Sequence, residues 1–161
     1  MKLMKVAVGS DHRGFESKEQ IKKIVEQLGH TVVDVGTDSN DPVDYPDLAY
    51  AAAMQVAAHQ TDRAILVCGT GIGMSIAANK VPGVRAALCH DELTAQISRD
   101  HNDANVLCIS GDLVGEVLLR KIVEVWLDTP FSGGRHKRRV NKISAIEQGK
   151  DPTKTAPTTA Q

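Results

Sequence analysis

The sequence predicts an α/β protein with a parallel sheet covered by helices on both faces. Two observations carry that prediction. Short apolar runs alternate with longer amphipathic stretches along almost the whole chain. Aromatic residues are only 3% of a chain that is 42% apolar, so Val, Ile, Leu and Ala must fill the core.

The elements follow in order. Val6 to Gly9 is a short strand. Gly14 to Leu28 has apolar residues at Phe15, Ile21, Ile24, Val25 and Leu28, close to a helical stripe, and Gly29 ends it. Thr31 to Val35 reads as the second strand, and Asp41 to Pro46, with two prolines, as a turn. Leu48 to Ala58 is Ala-rich and helical. Ala64 to Val67 is the third strand and leads into a glycine loop. Met74 to Asn79 reads as a short helix stopped by Pro82-Gly83. Val84 to Leu88 is a strand, Glu92 to Ser98 a helix and Asn105 to Ile109 the fifth strand. Val114 to Leu127 is a long amphipathic helix stopped by Pro130, and a last helix covers Arg138 to Gln148. One domain over residues 1–148 is expected. The Lys, Asp, Pro, Thr and Ala of 149–161 read as a disordered tail.

Composition narrows the partners. A net charge of −1 gives no global reason to bind nucleic acid or an anionic membrane. No apolar run is long enough to span a bilayer and no signal peptide is evident, so a cytoplasmic location is expected. Cys68, Cys89 and Cys108 are odd in number and lie far apart, which argues against both a disulfide framework and a zinc site.

In a parallel sheet with strand–helix alternation, ligands bind at the carboxyl ends of the strands. The segments to inspect are therefore Ser10-Asp11-His12, Cys68 to Gly73, His90-Asp91 and Ser110-Gly111-Asp112. Gly69, Gly71 and Gly73 lie between a strand and a helix, where glycine permits close backbone approach and free N–H groups suit an anion. A dinucleotide fingerprint would need glycine at 74, where Met74 stands, although Asp91 lies at the distance of a ribose-binding acid. A tight turn without a ligand accounts for the loop equally well.

Cys68 sits at the entrance to this loop. A helix N-terminus favours a thiolate, which can act as a base while loop N–H groups stabilise an enediolate. A small buried hydrophobe is the other reading of the same residue. His101 has the chemistry of a proton shuttle or of a surface residue. Asp11 and His12 suit hydroxyls or phosphate, and Asp11 also suits a helix cap. Arg135-His136-Lys137-Arg138-Arg139 is the densest positive cluster, and Gly133-Gly134 before it would let it reach a neighbouring subunit. Arg and His spaced over one helical turn suit a phosphate.

Taken together, Gly9-Ser10-Asp11-His12, Asp44-Tyr45-Pro46, Cys68 to Gly73, Ile76 to Lys80, His101-Asn102-Asp103 and Gly134-Arg135-His136 with Arg139 occur in a distinctive order. From Val6 to Gln148 the chain resembles the ribose-5-phosphate isomerase B family, which includes galactose-6-phosphate and allose-6-phosphate isomerases. The resemblance implies a Rossmann-like three-layer sandwich with a five-stranded parallel sheet. It implies interconversion of D-ribose 5-phosphate and D-ribulose 5-phosphate through a cis-enediol, a step of the pentose phosphate pathway, without metal or other cofactor. It implies a homodimer with shared active sites, whose C-terminal helix reaches the partner, and leaves open whether two dimers pair into a tetramer. By likeness Cys68 moves the proton, His101 opens the ring and Thr70 assists. Asp11, Tyr45 and Asn102 hold hydroxyls, with Gly69, Gly71 and Gly73 around the intermediate. His12, Arg135, His136 and Arg139 contact phosphate. A second branch places a glutamate where Met74 stands, which puts this chain in the cysteine branch.

One position departs from the family. Many relatives carry an arginine phosphate ligand just after strand five, where this chain has Asp112. Asp112 points away, or Arg135 and Arg139 compensate, or the substrate differs. The alternatives that remain open are a six-carbon sugar phosphate as substrate and a flavodoxin-like nucleotide-binding module without catalysis.

Overall fold

The computed structural model of the chain describes residues 2–155. Strands β1 (Lys5–Ser10), β2 (Thr31–Asp34), β3 (Arg63–Cys68), β4 (Ala86–Leu88) and β5 (Val106–Ser110) form one sheet in the order β2-β1-β3-β5-β4. All its pairings are parallel, with Val8 opposite Ile65 and Cys68 opposite Ser110. Strand order reverses direction between β1 and β3, so the carboxyl ends of these two strands border the switch-point crevice. The Asp11 N–H donates to the Val67 carbonyl at 3.1 Å and ties the two ends together.

Helices α1 (Phe15–Gln27), α2 (Tyr45–Ala57), α3 (Ile72–Ala78), α4 (Glu92–Asp100), α5 (Glu116–Asp128) and α6 (Gly134–Glu147) follow the strands. Side chains alternate between the two faces of a strand. Val6, Val8, Ile65, Val67, Leu107 and Ile109 enter a core with Ile21 and Val25 of α1 and Ile122 and Trp126 of α5. Ala7, Leu66, Cys68 and Cys108 enter a second core with Ala49, Ala52 and Ala53 of α2 and Met74 and Ala78 of α3. Alternation alone therefore puts Cys68 on the α2–α3 side.

Two boundaries differ from expectation in ways that matter for the site. The prolines of Asp41 to Pro46 read as a turn, yet α2 begins at Tyr45 with Pro46 in its first turn. Proline fits there because its missing N–H is one of the donors a helix start leaves unpaired. Likewise α6 begins at Gly134, so Arg135 and His136 lie in its first turn and not on a flexible arm. Gly133 (φ 68°, ψ −138°) and Gly134 (φ 53°) make the bend that enters it, a conformation open to glycine.

Part of the expected disordered tail is structured. Pro152–Lys154 form a 3-10 turn that Asp151 caps through the Thr153 N–H at 2.9 Å, and Lys142 Nζ donates to the Pro152 carbonyl at 3.0 Å. Residues 156–161 of that tail lie outside the described residues. Among the described residues, no helix is long and apolar enough to cross a membrane.

Candidate active site

The crevice at the ends of β1 and β3 collects most of the expected residues. Cys68 closes β3 and is 5% exposed. The Gly71 N–H donates to its Sγ at 3.1 Å. Gly71 can do so because it adopts φ 78°, where an added Cβ would sit 2.6 Å from Leu88 Cδ1 and 3.0 Å from the Ile109 carbonyl carbon. Thr70 Oγ1 accepts from the Ile72 N–H at 3.3 Å. The loop was expected to offer its N–H groups to an anion, but it uses those of Gly71 and Ile72 internally. The steric reason is the sharp turn into α3, which points these groups back at the loop.

Tyr45 packs its ring on Gly73, where a Cβ would lie 2.6 Å from Cε2 and Cζ of the ring. The tyrosine reaches the loop because α2 starts there. Asp11 is buried, and its Oδ1 accepts from the N–H groups of Arg13 and Gly14 at 3.0 Å each. It thus ties up the turn ahead of α1 rather than capping that helix, whose cap is Gly14. His12 accepts the Val43 N–H on Nδ1 at 3.2 Å. A neutral ring held this way carries its proton on Nε2 and presents a donor there.

Met74, the residue that breaks the dinucleotide fingerprint, is fully buried in the α2–α3 core. Its side chain fills the space that a third glycine would leave for close strand–helix approach.

The remaining expected residues form a second cluster. His101 is the C-cap of α4 and precedes β5. Its ring stacks on that of His136 with centroids 4.0 Å apart and planes 9° from parallel, and its Nε2 is 3.3 Å from Asp100 Oδ2. Loss of solvation, then the neighbouring His101, Arg135 and Arg139, hold His136 below its ordinary value of 6.5. Asn102 lies in the same loop, where its carbonyl accepts from Arg85 Nε at 3.1 Å. Arg135 and Arg139 stand one turn apart on α6.

These residues lie at the amino end of β5, whereas Cys68 pairs with Ser110 at its carboxyl end. A five-residue strand spans about 13 Å. Within one chain, His101, Asn102, Arg135, His136 and Arg139 are therefore not brought to Cys68. An open groove of about 590 Å³, lined in part by Asn79, Ala87, Asn102, Ile143 and Ile146, accompanies the second cluster.

Sequence reasoning missed Arg13. It is three residues beyond the end of β1, one past the Ser10-Asp11-His12 segment that the carboxyl-edge argument singles out. Arg13 Nη2 forms an ion pair with Asp112 Oδ2. Asp112 thus neither points away nor stands as a bare anion. The pair lies over the loop: a Cβ on Gly69 would be 3.0 Å from Arg13 Cζ and 3.1 Å from Asp112 Oδ2.

Fold and site together define an open α/β protein whose switch-point crevice holds a cysteine at the mouth of a glycine loop, with a histidine–arginine cluster at the opposite end of the sheet. Residues 6–143 match the Ribose/Galactose Isomerase family model, and the chain belongs to that family. It is 47% identical over 146 residues to ribose-5-phosphate isomerase B of Escherichia coli (strain K12), covering 91% of this chain and 98% of that one. Among solved structures it is similar to Clostridium thermocellum ribose-5-phosphate isomerase B, with 48% identity, TM-score 0.89 and coverage of 91% and 99% of the two chains. It is also similar to ribose-5-phosphate isomerase B from Mycoplasma genitalium with bound ribulose-5-phosphate, with 42% identity, TM-score 0.86 and coverage of 89% and 96%.

Proposed function

We propose that the protein is an aldose–ketose isomerase that interconverts D-ribose 5-phosphate and D-ribulose 5-phosphate. The observation that carries this reading is the placement of Cys68 at the switch point, with the Gly71 N–H on its sulfur, in a chain of this family. The thiolate is the form of a cysteine that acts as a base.

The chemistry is a proton transfer between adjacent carbons. The Cys68 thiolate takes the C2 proton of the open-chain aldose. The C2–H electron pair becomes the C1–C2 double bond, and the carbonyl oxygen on C1 becomes an enediolate oxygen. The C2 hydroxyl gives up its proton and O1 takes one, and the Cys68 thiol returns a proton to C1, so that the C2 oxygen becomes the ketone and the C1 oxygen a hydroxyl. Thr70 lies beside the base to assist, and Asp11 and Tyr45 hold hydroxyls from the crevice walls. His12 Nε2 is a donor for the phosphate.

We infer further that a second copy of the chain completes the site. The separation of Cys68 from His101 and Asn102 supports this, as do the exposed apolar residues Tyr50 and Met54 of α2, Ile72 and Ile76 of α3 and Ile143 and Ile146 of α6. The copy supplies His101 for ring opening, Asn102 for a hydroxyl, and Arg135, His136 and Arg139 for phosphate. The first turn of α6 is basic and contains no acidic residue, which opposes the helix dipole and suits an incoming dianion. The family description also names galactose, which keeps a six-carbon phosphate as the second reading. Turnover of ribose 5-phosphate to ribulose 5-phosphate, compared with allose 6-phosphate as kcat/KM, tests both. A preference for the pentose of about 10-fold or more supports the first reading, and the reverse preference the second. No turnover of either overturns both.

A further inference from the structure

We propose that Arg13 is a substrate-binding residue that contacts the phosphate of the sugar phosphate, and that Asp112 is its positioning residue. The inference rests on the isomerase reading for the identity of the ligand, and on geometry for the rest.

Both residues are tethered to the strand that carries Cys68. The Arg13 N–H donates to Asp11 Oδ1 at 3.0 Å, and the next residue, Gly14, packs so tightly on Val67 that a Cβ would lie 2.6 Å from its carbonyl oxygen. The Asp112 N–H donates to the Gly69 carbonyl at 3.1 Å, and the Gly111 N–H to the Cys68 carbonyl at 2.8 Å. Ser110 Oγ donates to the same Gly69 carbonyl at 2.6 Å and accepts the Leu113 N–H at 3.0 Å. The backbone under the ion pair is thus fixed from two sides, and the guanidinium lies against Gly69, the residue after the base.

The pair itself is open to solvent, with the Arg13 side chain 59% and the Asp112 side chain 36% exposed. An exposed ion pair adds little to stability, so stability does not explain the tethering. Among the described residues, Arg13 engages Asp112 through Nη2 alone. A guanidinium has five donors in a planar fork that matches a phosphate, which leaves most of the fork for a ligand. Of the other groups assigned to phosphate, Arg135, His136 and Arg139 come from the second copy, and His12 follows β1 in the same chain as Cys68. The substrate carries one strongly charged group, and Arg13 adds to these a guanidinium that the Cys68 end itself holds in place. Asp112 holds the fork in register, at the cost of an anion close to the phosphate.

Wild-type turnover of ribose 5-phosphate reads the isomerase assignment alone. Arg13 is read separately, by calorimetric titration of inorganic phosphate, a probe that requires no catalysis. Arg13→Ala is expected to weaken phosphate binding about 10-fold or more and to raise KM by a similar factor, with kcat within about twofold of wild type. Arg13→Lys keeps the charge without the fork and falls between. Asp112→Asn raises KM a few-fold with an unchanged unfolding temperature. If Arg13→Ala does not fold, Arg13→Gln and Arg13→Lys carry the same comparison. Phosphate affinity unchanged in the folded Arg13 variants, or absent in wild type, overturns the proposal whether or not wild type isomerises the sugar. So does a loss of unfolding temperature and kcat at constant phosphate affinity, the pattern of a purely structural pair. A lower KM in Asp112→Asn overturns the positioning role.

Discussion

Cys68 differs from the other two cysteines in what surrounds its sulfur. Burial pushes the Cys89 thiol up and the Cys108 thiol well above its ordinary value, while Cys68 receives an N–H at 3.1 Å and keeps a small exposed surface. An alkylating reagent at neutral pH should therefore modify Cys68 first, as read by peptide mass spectrometry, and initial labelling of Cys108 would contradict this environment. His30 gives a second prediction. It is buried, with Nδ1 accepting the Met4 N–H at 3.3 Å and Nε2 without a partner among the described residues. Burial, then the Arg63 charge, lower its pKa below 6.5. The unfolded chain therefore binds more protons as pH falls below 6.5, so stability is full above that value and declines beneath it. Thermal unfolding from pH 7 downward should show this decline, and His30→Gln should flatten it. The placement of Cys68 and His12 at the carboxyl edge of the sheet was legible in the sequence, because Cys68 closes a strand and His12 closely follows one. Arg13 and Asp112 were not paired in advance because 99 residues separate them, and only the adjacency of the β1 and β5 ends to β3 makes them neighbours.

At the scale of the element, the five strands and six helices of the described residues were legible in the sequence, because β1, β3, β4 and β5 alternate between two cores and most helices bury one stripe. Helix starts were less legible. Pro46 and the Gly133-Gly134 pair are breakers by type, yet each stands at a helix beginning, where a missing donor or a positive φ is compatible with the fold. The start of α6 carries its own prediction. Arg135 sits where the helix dipole disfavours a cation. Arg135→Glu should therefore raise thermal stability by about 0.3–1 kcal/mol at low salt while raising KM for the sugar phosphate. A fall in both stability and KM would contradict the assignment of this turn to phosphate.

At the scale of the whole molecule, the sheet separates the base from its expected helpers. The sequence motifs name both clusters but carry no distances, and the strand between them became visible only in the fold. If two copies complete each site, Cys68→Ala and His101→Ala variants are each inactive alone but complement one another. Mixed dimers then have one intact site, and random exchange should restore about a quarter of wild-type activity for a two-fold symmetric pair. Absence of recovery after verified subunit exchange would place both residues in one chain's site. The central claim, proton transfer by Cys68, has its most direct test in ribose 5-phosphate labelled with deuterium at C2. The account predicts a primary isotope effect and loss of label to water through the enediol, with turnover reduced about 1000-fold or more in Cys68→Ala. Complete retention of deuterium in the ribulose 5-phosphate formed, at a rate indifferent to Cys68, would contradict it.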